Sequence, residues 1–182
     1  MSAPAYFLFT DIETTGLDEK NDKILEVAWI ITDSEFCAVS PPRSFVVKQD
    51  ESYPAVLASA KPVVLEMHSN NGLFAEVEFA THNLDDVWIQ MQEDLLDLPE
   101  GSEVQIAGRS VHFDEKFLRA NDFGPLFDEL LSHRVYDVRS VRTYLDLRGI
   151  HYDDIQGHNH RALDDVLGDI EFARHLQAIT VY

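Results

Sequence analysis

The chain has 182 residues, 45% of them hydrophobic, with 33 acidic against 14 basic side chains and a formal net charge of −19. That length fits one domain over 1–182, with its core at about 6–176, large enough to bury most of its apolar surface. The charge argues against a protein that grips long duplex nucleic acid through a basic face, and no apolar run approaches the ~20 residues of a membrane span.

Taken in chain order, Met1-Ser2-Ala3-Pro4-Ala5 lacks the basic start and apolar stretch of a secretory leader. The lone Cys37 rules out an internal disulfide framework and fits a reducing cytoplasm, as a buried or semi-exposed side chain. Tyr6-Phe7-Leu8-Phe9 is apolar without a break, which predicts a strand covered on both faces. Asp11 and Glu13 follow, two apart, and so project from one face of that strand's end. Like charges that close repel unless one is protonated or a cation lies between them. Mg²⁺ and Mn²⁺ are hard ions that favour carboxylate oxygens. Taken alone, the pair also fits the solvated end of a strand.

A turn at Gly16-Leu17-Asp18 and a charged loop to Lys23 lead to a second strand, Ile24–Thr32, and Phe45-Val46-Val47 predicts a third. Short connections make these an antiparallel meander. Loops are expected at Pro41-Pro42 and over 50–54, then a short helix over 63–68 ended by Asn70-Asn71-Gly72. Leu84, Val87, Trp88, Met91 and Leu95 recur at helical spacing, capped by Asn83 with Asp86 and closed by Pro99 and Gly101. A fourth strand is expected over 104–108, a helix over 114–121, a fifth strand over 135–137 and a helix over 138–147. A polar loop over 151–159 precedes a last helix, 161–176, with Leu163, Val166, Leu167, Ile170 and Ala173 inward. Three strands followed by helix-strand-helix-strand-helix is an α/β layered domain.

Asp114, at the start of a helix, fits an acid favoured by the helix dipole as well as a ligand. His160 and Asp165 are five apart and cannot share a helical face. They converge only with His160 on the loop before the last helix and Asp165 inside it. Spacing does not separate Asp164 from Asp165. His158-Asn159-His160 is not an HNH nuclease signature, which needs spaced residues on a ββα metal finger.

Asp11-Ile12-Glu13-Thr14-Thr15-Gly16-Leu17, the stretch 107–118 and His160-Arg161-Ala162-Leu163-Asp164-Asp165 resemble, in order, the three motifs of the DEDDh 3′–5′ exonucleases. The family's last motif, His-x-Ala-x-x-Asp, selects Asp165. The resemblance implies a ribonuclease H-like five-stranded mixed sheet flanked by helices. It also implies two divalent cations, Mg²⁺ or Mn²⁺, on Asp11, Glu13, Asp114 and Asp165, with His160 as general base and nucleoside 5′-monophosphates as products. Between the motifs, 62–73 is similar to the Thr-Glu-Met-His-x-x-(Ser/Gly)-Gly-Leu stretch of oligoribonucleases, and 133–138 to their His-Tyr-Arg-x-x-Asp-Val segment. This closer likeness implies a homodimer acting on short single-stranded RNA, with DNA as a second substrate class.

The same likeness implies Leu17 as an apolar wedge, His68 as a substrate contact, and Ser110, Arg134, Arg139 and Thr143 as contacts to the 5′ end. From the residues alone, Leu17 fits a buried loop position equally well, and His68 a capping or solvated histidine. Four departures stand out. Arg109 replaces an Asn, Arg139 a Ser that helps hold a terminal 5′ phosphate, and Val63 a Trp, while His133 and Arg134 lack an intervening Tyr. Arg139 either strengthens that phosphate pocket or opens it to longer strands. A broader exonuclease would show runs of basic and aromatic residues, and a silent interaction module would have lost a ligand. The chain shows neither.

Overall fold

The computed structural model describes residues 5–150 and 159–179. Strands β1 (Ala5–Thr14), β2 (Ile24–Thr32), β3 (Arg43–Val46), β4 (Glu103–Gly108) and β5 (Val135–Asp137) form one mixed sheet in the order β3-β2-β1-β4-β5. β1 runs antiparallel to β2 and parallel to β4, and β5 is parallel to β4. Helices α1 (Tyr53–Ser59), α2 (Pro62–Asn70), α3 (Leu73–Val77), α4 (Leu84–Leu96), α5 (His112–Leu118), α6 (Gly124–Leu130), α7 (Val138–Leu147) and α8 (Ala162–Ile179) pack around it.

Strand alternation divides the core. Leu8 and Ile12 join Trp29, Val87, Met91, Phe117 and Phe123 on the face covered by α4, α5 and α6. Phe9 joins Ile30, Val138, Val166 and Ile170 on the face covered by α7 and α8. Asp11 and Glu13 share the parity of Phe9, so the side of β1 that receives α8 apolar contacts at its start receives carboxylates at its end. β1 lies at the centre of the sheet because its first half can be buried on both faces.

The strands, α4, α7 and α8 fall where the sequence predicts them. Asn83 and Asp86 form a reciprocal capping box on α4. Buried Asp94 accepts hydrogen bonds from Trp29 Nε1 (2.9 Å) and Arg43 Nε (2.9 Å), tying α4 to β2 and β3. Three expectations are corrected. The helix expected over 114–121 is α5, which ends at Leu118 and gives way to a wide turn in which Asp122 has φ 69°, before α6 resumes. Leu167 is 44% exposed, beside the buried stripe rather than in it. Cys37 is exposed in the turn after β2. Helices α1, α3 and α6, of five to seven residues, are too short for a periodic apolar pattern to show. The loop expected over 151–159 lies largely outside the described residues. Among those residues, no helix is long and apolar enough to cross a membrane.

Candidate active site

The end of β4 meets β1 at Gly108, where φ is +154° and an added Cβ would stand 2.8 Å from the Thr10 carbonyl oxygen. Only glycine allows that approach. Past it, Ser110 turns the chain with φ 57°, and α5 starts two residues later. Asp114 is buried in the first turn of α5, and its Oδ1 accepts the Ile12 N–H at 3.0 Å. The second acidic motif is therefore hydrogen-bonded to the backbone of the first.

From the other side, α8 brings Asp165. Ligand atoms of Glu13, His160 and Asp165 all lie within 4.8 Å of one another, a spacing that suits a metal ion. His160 sits on the loop before α8, as its separation from Asp165 requires, with φ 50°. Asn71, at the end of α2, donates its side-chain amide to the carbonyls of His160 (2.6 Å) and Asn159 (3.0 Å).

The carboxyl groups are crowded. Asp11 is held well above the usual carboxylate range, first by burial and then by Asp114, Glu13, Asp165 and Asp169. Asp114 is raised mainly by burial, which outweighs the opposing Ile12 N–H. Asp169, buried one helical turn beyond Asp165, is pushed up to about 6 by burial against the pull of Arg109. Repelling acids at the end of a buried strand favour either protons or a bound cation. The donor set, all hard oxygens beside one imidazole, fits Mg²⁺ or Mn²⁺.

Two further side chains hold the frame. Glu26 lies opposite Glu13 in the β1–β2 register and is 1% exposed. Arg161 bonds it through Nε at 3.0 Å and Nη2 at 3.1 Å and also reaches Glu76 at 2.8 Å, while the Ala162 N–H adds a further bond to Glu26 at 3.1 Å. The signal in the sequence is one acid inside the apolar run 24–31. For Asp169 it is the four-residue step from Asp165.

The predicted substrate contacts separate. Leu17 is 76% exposed on the turn after β1, on a loop braced by Glu19 to Lys116 (3.0 Å) and by Lys23 to Glu51. Arg139 and Thr143 line a cavity beside α7 with Arg109, and Ser110 follows Arg109. Arg134 lies just before β5 and pairs with Glu103 at 2.9 Å, away from the described lining of that cavity. His68 is fully buried behind Glu13, with Nε2 3.3 Å from Oε2 and no well-aligned hydrogen bond between them. It packs edge-on against Phe74 at 5.8 Å.

A ribonuclease H-like mixed sheet whose central strand ends in converging carboxylates defines a hydrolytic nuclease. Residues 8–172 match the Exonuclease (RNase_T) family, and the chain belongs to that family. It is 32% identical to the oligoribonuclease of Nocardia farcinica, covering 92% of this chain and 78% of that protein, and 31% identical to that of Mycobacterium avium, covering 92% and 79%. The mitochondrial oligoribonuclease of Homo sapiens is 28% identical, with 92% and 71% covered. Among solved structures, exonuclease I matches with a TM-score of 0.69 at 23% identity, covering 96% of this chain and 41% of that one. The zinc-bound complex of E. coli exonuclease I with single-stranded DNA gives 0.70 at 22% identity, covering 98% and 41%. The chain spans about two fifths of those exonuclease I chains, and the likeness is one of fold. The motif resemblance and the five-stranded sheet it implied are both borne out.

Proposed function

We propose that the chain is a two-metal 3′–5′ exoribonuclease that degrades short single-stranded oligoribonucleotides to nucleoside 5′-monophosphates. The observation that carries this reading is the convergence of Glu13, His160 and Asp165 within 4.8 Å, beside Asp11, whose carboxyl feels the charges of Asp114, Glu13 and Asp165. Bound by Asp11, Glu13, Asp114 and Asp165, two divalent cations, Mg²⁺ or Mn²⁺, would activate a water and stabilise the departing 3′ oxygen. His160, placed beside those acids, takes the proton of that water at a ring nitrogen. Asp114 is kept in place by the Ile12 N–H, so its position does not depend on the cation. Leu17 presents an exposed apolar side chain to the terminal bases. Ser110, Arg139 and Thr143 face the 5′ end of the substrate. His68 supports Glu13 from behind, and Arg134 stays with Glu103.

A homodimer in a reducing cytoplasm belongs to the same proposal. Support comes from the exposed Tyr144 and Leu147 on α7, Val135 on the edge strand, and free Cys37. A broader single-stranded DNA and RNA exonuclease is the competing reading. The two part over Arg139, which either binds a terminal phosphate or leaves the cavity open. The test is the ratio of kcat/KM for a 5′-phosphorylated dinucleotide to that for a heptamer. A parent ratio of ~10 or more that falls in Arg139→Ala is expected, the size of one charge-assisted hydrogen bond. Equal rates on both substrates, indifferent to Arg139, would establish the broader enzyme.

A further inference from the structure

Leu17 is exposed, yet the loop that carries it is closed on itself and tied to its neighbours. The Thr15 N–H donates to the Lys23 carbonyl at 2.9 Å, and the Lys23 N–H returns to Thr15 Oγ1 at 2.9 Å. The Thr14 hydroxyl donates to the Gly16 carbonyl at 2.6 Å. The Thr15 carbonyl accepts the Lys61 N–H at the head of α2 at 2.9 Å, and Glu19 meets Lys116 of α5 at 3.0 Å. Within this frame one carboxylate sits against both neighbours of Leu17. Asp22 Oδ2 accepts the Asp18 N–H at 2.9 Å, and the Asp22 N–H donates to the Asp18 carbonyl at 2.8 Å. On the other side, a Cβ added to Gly16 would run into the Asp22 carboxyl group. Gly16 lies outside the left-handed region, so glycine serves there to admit that carboxylate and not to bend the chain. Residues 12–16 are buried, and Leu17 is the first exposed position beyond the acids of β1.

We infer that Asp22 is a positioning residue that fixes Leu17 for its contact with the terminal bases of the substrate. The inference rests on the role proposed above for Leu17 and adds the group that holds it. Asp22 does not itself meet the substrate. It acts by removing conformations: an apolar side chain on a free loop has to be ordered each time a strand binds, whereas one already in place does not incur that cost. The two contacts divide the work. Accepting the Asp18 N–H fixes the backbone after Leu17, and filling the space where a side chain at position 16 would stand fixes it before. An acid is a poor choice near a bound polyanion unless its oxygen is needed as an acceptor, so the acceptor and not the charge is the working feature.

The experiment titrates the full chain in Ca²⁺ with a trinucleotide RNA whose 3′-terminal base is 2-aminopurine, which brightens when it leaves a stack. The parent, Leu17→Ala, Asp22→Ala, Asp22→Asn and the double variant Leu17→Ala/Asp22→Ala are compared, and thermal unfolding checks that each is folded. Leu17→Ala should weaken binding ~10-fold and remove most of the brightening. Asp22→Ala should weaken it ~5–15-fold with the same loss of brightening. Asp22→Asn keeps an acceptor oxygen in the same place and should stay within ~3-fold of the parent. In the Leu17→Ala background, Asp22→Ala should add less than ~2-fold, because a residue that acts through Leu17 has nothing left to position. Hydrolysis in Mn²⁺ should follow binding through KM more than kcat. Losses that multiply in the double variant would overturn the inference and leave the role of Leu17 standing. A Leu17→Ala protein that binds and brightens like the parent would overturn both. The expected binding pattern without hydrolysis of any RNA would support the inference while the exonuclease reading fails. If Asp22→Ala does not fold, Gly16→Ala, which displaces the same carboxylate, takes its place in the cycle under the same criteria.

Discussion

His160 is a left-handed residue without glycine's freedom, with φ 50°, a conformation that costs roughly 1 kcal/mol or more and persists only where its surroundings enforce it. Asn71 does so by holding the carbonyl of His160 itself. The imidazole is thus delivered beside Glu13 and Asp165 by its backbone rather than by a helical face. Replacement by Ala should lower kcat by ~10²–10⁴ with a smaller effect on KM, and the acid limb of the rate profile should flatten. A variant with the parent's rate and pH profile would remove His160 from the chemistry. Asp11 and Glu13 were legible because strand alternation alone puts them on one face. Asp165 was separable from Asp164 only through the motif. The pairing of Arg109 with Asp169 was invisible, because residues 60 apart that meet beyond the end of β4 leave no periodic trace.

Among the elements, α8 is fixed at its start by a buried acid on a neighbouring strand. Among the described residues Glu26 takes four hydrogen bonds, two from Arg161, one from the Ala162 N–H and one from the Ser44 hydroxyl. Removing it leaves the Arg161 guanidinium with Glu76 as its remaining carboxylate and the Ala162 N–H without its acceptor. Glu26→Ala should therefore cost about 3 kcal/mol, or roughly 5–10 °C in Tm for a chain of this size. It should also reduce hydrolysis by more than the loss of folded protein explains, since His160 and Asp165 flank the anchored turn. Unfolding in urea alongside single-turnover rates would check both, and a stable, fully active Glu26→Ala protein would refute the role. The long elements could be read from sequence because 3.6- and 2-residue periods need about ten residues or a clean apolar run to show. α1, α3 and α6 are held by tertiary packing of one to three side chains each, such as Val56 in α1 or Leu73, Phe74 and Val77 in α3, and local pattern cannot reveal that.

Across the whole molecule, the acidic excess is both solvated surface and stored repulsion. Asp11 and Asp114 lie well above the usual carboxylate range and Asp169 at about 6. A carboxyl raised on folding stays protonated more readily in the native state. Its stabilisation is complete near its unfolded value of about 4 and is lost as pH rises through the folded value. Exposed Asp18 and Glu51 and partly exposed Glu19 are lowered chiefly by hydrogen bonds from Asn21, Lys23 and Lys116 respectively and act in the opposite direction, but solvent screens them. Protein stripped of metal should therefore lose ~5 °C or more in Tm between about pH 5 and 7.5. Mn²⁺ should restore it at the upper pH through binding linkage, and much less in Asp165→Asn. A Tm independent of both pH and Mn²⁺ would show that the carboxylates are not the crowded cluster described here.

The bond from Asn71 to His160 also bears on how the protein should age. Asn71 precedes Gly72, and glycine's unhindered backbone nitrogen is the one that most readily attacks the asparagine side-chain amide carbon, expelling ammonia and closing a succinimide that water opens to isoaspartate or aspartate. In the folded chain that ring closure is held back. Asn71 keeps helical angles, its Oδ1 accepts the Leu73 N–H at 3.0 Å, and its amide is occupied by two carbonyls. Deamidation therefore proceeds at the rate at which this junction opens, and it replaces a donor with a carboxylate facing those same carbonyls. On storage, loss of activity should track formation of isoaspartate and aspartate at position 71, and Mn²⁺ should slow both. Mass spectrometry of aged samples that lose activity with Asn71 intact would show that the clock lies elsewhere.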